Sequence, residues 1–423
     1  MSGILLGFAG MTHLGIVSAV TAAAKGFRVV GFDPDGTRAA ALARGELPIS
    51  EPGLAELLGT NGERLQFSAN AADIARCDLV YVAPDVPTGA AGTSELGGIS
   101  ALLETVFSHL RADAITVILS QVPPGFTRRR LAPGRRLFYQ VETLIFGRAV
   151  ERAMRPERFI IGCEHPHQPL PAPLASFLES FDCPVLPMRY ESAELAKISI
   201  NVCLVASVSV ANTLAELCER IGASWSEIAP ALKLDRRIGP HAYLAPGLGI
   251  SGGNLERDLA TVCTLADYHG SDASVVRAFL GNSRRRRDWA LRTLYRTVLS
   301  KQVDPHIAIL GLAYKENTHS TKNSPALALL ENLKAFPVRV FDPLVAPVAV
   351  DHPRCTAAGS ELEACAGADA LAIMTPWPQF RALSPRDVAS RMRGRVVLDP
   401  HAILSQANCR DAGLEYHTLG LRA

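Results

Sequence analysis

Apolar residues recur along the chain in short continuous runs, separated by stretches in which they fall three or four apart. The first run is ILLGF at 4–8. GMTHLG follows, then a helical pattern through Ala22 to Ala24, then a second run, RVVGF, that leads into Asp33. Continuous apolar runs fit strands of a parallel sheet buried on both faces, and the wider spacing fits helices packed against it. Strand, glycine-rich turn, helix, strand and acid, in that order, predict a dinucleotide-binding βαβ unit. Further strand candidates lie at 78–83, 114–120 and 158–162, and helical patterns between the earlier ones predict a doubly wound parallel sheet.

From about Glu191 the texture changes. Residues 191–221 read as one long helix, and helical segments continue to about 298, broken by a Gly/Pro loop at 239–253. A second α/β pattern then begins, with strands at 306–311, 338–343, 370–375 and 396–400. The expected architecture is α/β, with two Rossmann-like doubly wound parallel-sheet domains joined by a central long-helix domain. The expected divisions are 1–190, 191–298 and 299–423. The two α/β halves share a design, but no internal repeat or low-complexity stretch appears.

Composition narrows the class. A chain of 423 residues, 48% hydrophobic, can bury a core large enough to need neither disulfide nor metal. Its 43 basic and 41 acidic residues leave a net charge of +2, which argues against a nucleic-acid or membrane-surface role. Nine scattered cysteines form no C-x-x-C pair, so no zinc site or disulfide framework is expected, and the compartment is expected to be the cytoplasm. Residues 198–215 lack charge, but Asn201, Asn212, Thr213 and three serines suit a buried soluble helix better than a membrane span. The run Arg284 to Arg287 reads as a solvated helix face. Only seven of the basic residues are lysines, so a lysine in a chemical position stands out.

The turn Gly10-Met-Thr12-His-Leu14-Gly15 has glycine at the first and third fingerprint positions and Thr12 at the second. The first glycine makes the turn, the second lets backbone approach the pyrophosphate, and the third lets helix pack on strand. A Cβ at the second position pushes the phosphate outward or offers it a hydroxyl. Asp33, after the second strand, can accept from both ribose hydroxyls and would repel a 2′-phosphate, which favours NAD over NADP.

With these segments placed, the chain resembles the UDP-glucose/GDP-mannose dehydrogenase family along nearly its full length. The matching segments include VVGFDPD (29–35), PISEPGLAELL (48–58), LSQVPPGFT (119–127), AELAKISIN (193–201), RIGP with LAPGLGISGG (237–253), LGLAYKENTHSTKNSPAL (310–327), FDP (341–343) and TPWPQF (375–380). The resemblance implies oxidation of the primary alcohol of a nucleotide-linked sugar, with two NAD and an aldehyde held on a catalytic cysteine. That chemistry needs a base for the alcohol proton, a thiolate to trap the aldehyde, an activated water and donors for the oxyanion. By motif position, Glu142 would activate water, Lys197 and Asn201 would serve the oxyanion from one helix face, and Asp258 would hold the active-site lysine and water. Gln121 and Lys322 fall on the cofactor side, in place of a Thr and an Arg. Tyr243, Gly249, Gly252 and Lys315 fall on the substrate side, and Arg237 falls where members reach the neighbouring subunit's substrate. A homodimer through the 191–221 helix is implied.

The departures carry as much information. Gly249-Ile-Ser-Gly-Gly-Asn254-Leu-Glu-Arg257-Asp258 puts Asn254 where the family has its nucleophilic cysteine, and Cys263 is out of register. His319-Ser320 and Asp399-Pro-His401 replace further charged family residues. Three readings follow: alcohol oxidation that stops at, or passes through, an uncaptured aldehyde; an acid-forming enzyme with a non-covalent second step; and a non-catalytic binding protein. The expected ligands are NAD and a nucleotide sugar, with no metal.

Overall fold

The computed structural model describes residues 3–89, 92–346 and 351–422. The chain folds into two compact units, Met1–Ile200 and Asn201–Ala423.

The first unit is built on eight strands: β1 (Leu5–Ala9), β2 (Arg28–Phe32), β3 (Leu65–Ser68), β4 (Leu79–Val82), β5 (Ile115–Ile118), β6 (Arg136–Gln140), β7 (Phe159–Cys163) and β8 (Val185–Arg189). They lie in the order β3-β2-β1-β4-β5-β6-β7-β8. The chain reverses its direction of travel across the sheet between β1 and β4, the switch point at which this architecture binds ligands. Alternate residues of β1 feed opposite cores. Leu6 and Phe8 join the cluster under the first helix, α1 (His13–Ala24), whereas Ala9 joins the cluster on the other face. Both faces are therefore covered, which is why the strands read as unbroken apolar runs.

One pairing departs from the expected all-parallel sheet: β6 and β7 run antiparallel, with Tyr139 opposite Gly162. An antiparallel neighbour is reached without a crossover on the sheet face. Residues 141–158 therefore stay at the strand end, where they carry Glu142 and only a six-residue helix, Ala149–Met154. Strands β3, β6 and β8 were not among the sequence candidates. β3 and β8 are half exposed, and β6 begins with a charge, so none shows a clean apolar run.

A single 32-residue helix, α2 (Tyr190–Ile221), begins in the first unit and continues into the second. It is long and apolar enough to cross a membrane by length and composition alone. Within the second unit it buries Val205, Ala211 and Ala215 and leaves Val210, Leu214, Leu217 and Ile221 exposed.

The helices α3 (Asn254–His269) and α4 (Ser274–Arg287) follow, then a second sheet. Its strands are β9 (Ile307–Leu310), β10 (Val338–Phe341), β11 (Cys355–Ala357), β12 (Ala370–Ile373), β13 (Val396–Leu398) and β14 (Glu415–His417). All neighbouring pairs are parallel, in the order β11-β10-β9-β12-β13-β14. The three-residue edge strands β11 and β14 were too short to register as runs.

The arginine run of α4 departs from the solvated face expected of it. Arg284 and Arg285 are exposed, but Arg286 is fully buried, 3.3 Å from Glu219 and 3.5 Å from Glu216. A buried guanidinium needs such carboxylates, and the acids lie on α2, 67 and 70 residues earlier, where no local pattern reveals them.

Candidate active site

The dinucleotide cradle forms at the carboxyl end of β1. Gly10 sits at φ +91°, and a Cβ on Gly15 would lie 1.9 Å from the Gly10 carbonyl oxygen, so both positions require glycine. Thr12 caps α1, and its hydroxyl oxygen accepts from the Asp85 N–H at 2.7 Å, tying the turn to the loop after β4. The hydroxyl keeps its own proton as a donor. The Leu14 side chain is buried, and its N–H points to an Asp85 carboxylate oxygen at 3.4 Å. Asp33 is buried; its carboxylate accepts from the Met11 N–H at 2.6 Å, the Asp35 N–H at 2.9 Å and the Arg38 guanidinium at 3.0 Å. Gln121 follows β5, half-buried. Backbone amides at a helix start, two obligate glycines and a carboxylate after β2 fit a dinucleotide.

Glu142 and Lys197 meet in the same unit. Lys197 Nζ lies 3.2 Å from Glu142 Oε2, and both side chains are largely buried. The Leu144 N–H donates to the other carboxylate oxygen. One turn along α2, Asn201 is buried in the second unit and donates from Nδ2 to Asp258 Oδ2 at 2.5 Å. Asp258 is itself 1% exposed, with Arg257 Nε 3.8 Å away.

Asn254 is the first residue of α3 and is exposed. A helix start stabilises negative charge, so the position suits a thiolate, yet an amide stands there. Cys263 is nine residues on, about two and a half turns, and faces the opposite side of α3.

On the substrate side, the Gly252 N–H donates to the Lys322 carbonyl at 3.0 Å, and Asn323 Nδ2 donates to the Gly252 carbonyl at 2.8 Å. A Cβ on Gly252 would press on the Tyr314 ring at 3.1 Å; one on Gly249 would meet the Ser283 carbonyl at 2.4 Å. Lys315 Nζ lies over the Tyr314 ring, 5.7 Å from its centre. The Lys322 side chain is exposed. Arg237 and Tyr243 are exposed in the 235–249 segment, and Arg237 pairs with Asp235 at 2.6 Å.

Sequence reasoning passed over two groups. Glu51, within the quoted PISEPGL segment, is buried; it accepts from the Gly147 N–H at 2.9 Å and the Ala149 N–H at 3.2 Å and pairs with His13 Nε2 at 2.8 Å. His13 also packs on Phe146, ring centres 4.2 Å apart. The pyrophosphate turn is thereby latched to the loop that begins at Glu142. The second omission is Asp342, after β10, which accepts from the Leu312 N–H at 2.6 Å, as Asp33 accepts from Met11. The signal was present in FDP at 341–343, beside the FDP at 32–34.

Comparison with known proteins agrees along the chain. The UDP-glucose/GDP-mannose dehydrogenase family matches in three parts: its NAD binding domain over 5–174, its central domain over 191–282 and its UDP binding domain over 308–406. A UDP-glucose 6-dehydrogenase of Pseudomonas aeruginosa is 31% identical, covering 97% of this chain and 96% of the relative. The UDP-glucose 6-dehydrogenase TuaD of Bacillus subtilis is 29% identical, covering 97% and 92%. Among solved structures, a UDP-glucose dehydrogenase from Pyrobaculum islandicum superposes with a TM-score of 0.86 at 28% identity, covering 99% and 98%.

Proposed function

We propose, for a chain that belongs to the UDP-glucose/GDP-mannose dehydrogenase family and uses NAD, an oxidation of a nucleotide sugar's primary alcohol that yields an uncaptured aldehyde. Bound NAD supplies the hydride acceptor. Gly10, Thr12, Leu14, Gly15 and Asp33 hold it, with Gln121 and Lys322 as further cofactor contacts. A water activated by Glu142 takes the alcohol proton, and the Lys197 ammonium beside that carboxylate donates to the developing oxygen charge. Asn201 and Asp258 orient the donors and water at the carbon that loses hydride. Gly249, Gly252, Tyr243 and Lys315 hold the nucleotide sugar, and Arg237 serves the neighbouring subunit of a cytoplasmic homodimer. The exposed apolar stripe of α2 supports that dimer, because a stripe at heptad-like spacing costs free energy while it faces water. The division into 1–190, 191–298 and 299–423 belongs to the same reading.

Asn254 carries the proposal. An amide cannot add to an aldehyde as a thiolate does, nor leave from a thioester, so the covalent route to acid is closed. The retained Glu142 favours a second reading, in which it activates water slowly against the aldehyde and acid forms from the hydrate. The test is a count of NADH formed per UDP-glucose consumed, with mass analysis of the product and a panel of other UDP-, GDP- and dTDP-sugars. One NADH and an aldehyde trapped by hydroxylamine support the proposal. A fast stoichiometry of two ending in acid overturns it.

A further inference from the structure

The second unit holds a cleft of about 660 Å³ between the end of α2, the helical stretch 289–299 and the tail that follows β14. Its charges are unevenly matched. Among its acids, Glu216 is taken by Arg285 at 2.5 Å, and Glu219 by Arg286 at 3.3 Å and the Gly420 N–H at 3.0 Å. Glu415 faces His417 Nε2 at 2.8 Å. Five cations also line the cleft: Arg220, Arg292, Arg296, Lys301 and Arg422. Among the described residues, none of these five has a carboxylate within 4.0 Å; Arg292 donates to the Arg285 carbonyl at 2.6 Å.

Five like charges around one void repel each other, and burial makes the charged form of Arg292 harder to hold, lowering its pKa. Such a cluster is relieved by an anion with several charges close together. The volume lies in the range of small-molecule sites and far exceeds a single phosphate. Guanidinium groups match phosphate oxygens in pairs.

The cleft is also separate in the fold from the substrate-side residues of the same unit. It lies at β14, two strands from the β9–β12 junction, whereas Gly252, Tyr314 and Lys315 lie in the loop before α3 and after β9.

We propose that this cleft is a second anion site, built for a linked di- or triphosphate, distinct from the cofactor cradle and the substrate-side loops. The chemistry is shared by nucleoside triphosphates and inorganic polyphosphate.

The test is calorimetric titration of the full-length protein with inorganic tripolyphosphate, in the presence of excess NAD and UDP, with a parallel titration by ATP. Saturable binding of one tripolyphosphate or ATP per chain, strengthening as salt is lowered, is expected. Tighter binding of ATP identifies a nucleoside polyphosphate; tighter binding of tripolyphosphate identifies the inorganic chain. The double variant Arg296→Glu with Lys301→Glu should weaken binding by about tenfold or more, without changing NADH formation in the absence of polyphosphate. If that variant fails to fold, Arg422→Glu, at the exposed end of the chain, should weaken binding by about threefold. Absence of saturable binding, full displacement by NAD or UDP, or equal affinity in a folded variant overturns the proposal.

Discussion

Lys197 Nζ stands 3.2 Å from Glu142 Oε2, joining helix α2 to the loop after β6. Neither side chain has another charged partner at that distance among the described residues. The pair brings an ammonium and a carboxylate together within the first unit.

Replacing that lysine tests its part in the chemistry. Lys197→Met removes the ammonium and keeps much of the stem. kcat should fall by about 10² to 10⁴, the range for loss of a positioned acid–base group, with NAD affinity little changed. Steady-state kinetics with UDP-glucose and NAD titration by fluorescence measure both. Turnover within about threefold of the native rate would remove Lys197 from the machinery.

Asn254→Cys places a thiol at the first position of a 16-residue helix, where the backbone amides favour a thiolate. The new thiol should react with iodoacetamide faster than any of the nine native cysteines. The product should shift from aldehyde toward acid, with NADH per sugar rising from about one toward two. Product mass spectrometry decides it. An unchanged product with a changed rate would favour the non-covalent acid route instead.

Gly15→Ala should damage the cradle without touching any charge. The added Cβ would meet the Gly10 carbonyl at 1.9 Å, so the start of α1 must move off β1. A loss of about 2–4 kcal/mol is expected from overpacking a tight helix–strand contact, with NAD binding weakened more than UDP binding. Denaturant melts and two ligand titrations check it.

Much of this arrangement was legible in the residue pattern. The β1–turn–α1–β2 unit and the four inner strands of the second sheet appear as apolar runs because both of their faces are buried. The same logic hid β3, β8, β11 and β14, which lie at or near sheet edges and are short or half exposed. Lys197 and Glu142 could be singled out by motif position, but their meeting at 3.2 Å joins residues 55 apart, which no local spacing encodes. The Glu51–His13 latch was invisible for the same reason: its value lies in two backbone N–H groups near 147, and backbone carries no sequence signal.

Removing that latch should be costly. Glu51→Ala strands the half-buried Gly147 and buried Ala149 amides and frees the His13 ring from its carboxylate. A loss of about 2–4 kcal/mol is expected. Thermal melting and proteolysis of the 143–148 loop measure it; an unshifted melting temperature would sink the idea.

Acid should weaken the second unit through three histidines. Burial holds His306, His401 and His417 below the usual imidazole value of 6.5, so their neutral forms are favoured in the fold. Below that value the unfolded chain binds more protons than the folded one. The stability they contribute is therefore fully present above about pH 6.5 and is lost as pH falls through their folded values. Melting temperatures between pH 7.5 and 5 should decline, and His401→Asn should flatten the slope.

The amide at the head of α3 has a consequence for chemical durability. Burial raises the thiols of Cys77 and Cys365 to about 12 and that of Cys409 to about 11, so at neutral pH they stay protonated and slow to oxidise. An enzyme whose working position held a thiolate would lose activity to peroxide or to an alkylating electrophile at that one atom. Asn254 offers neither reagent a target. If turnover follows the proposed route, this chain should keep working under oxidative stress that would silence an enzyme dependent on a thiolate, whatever the redox state of its surroundings.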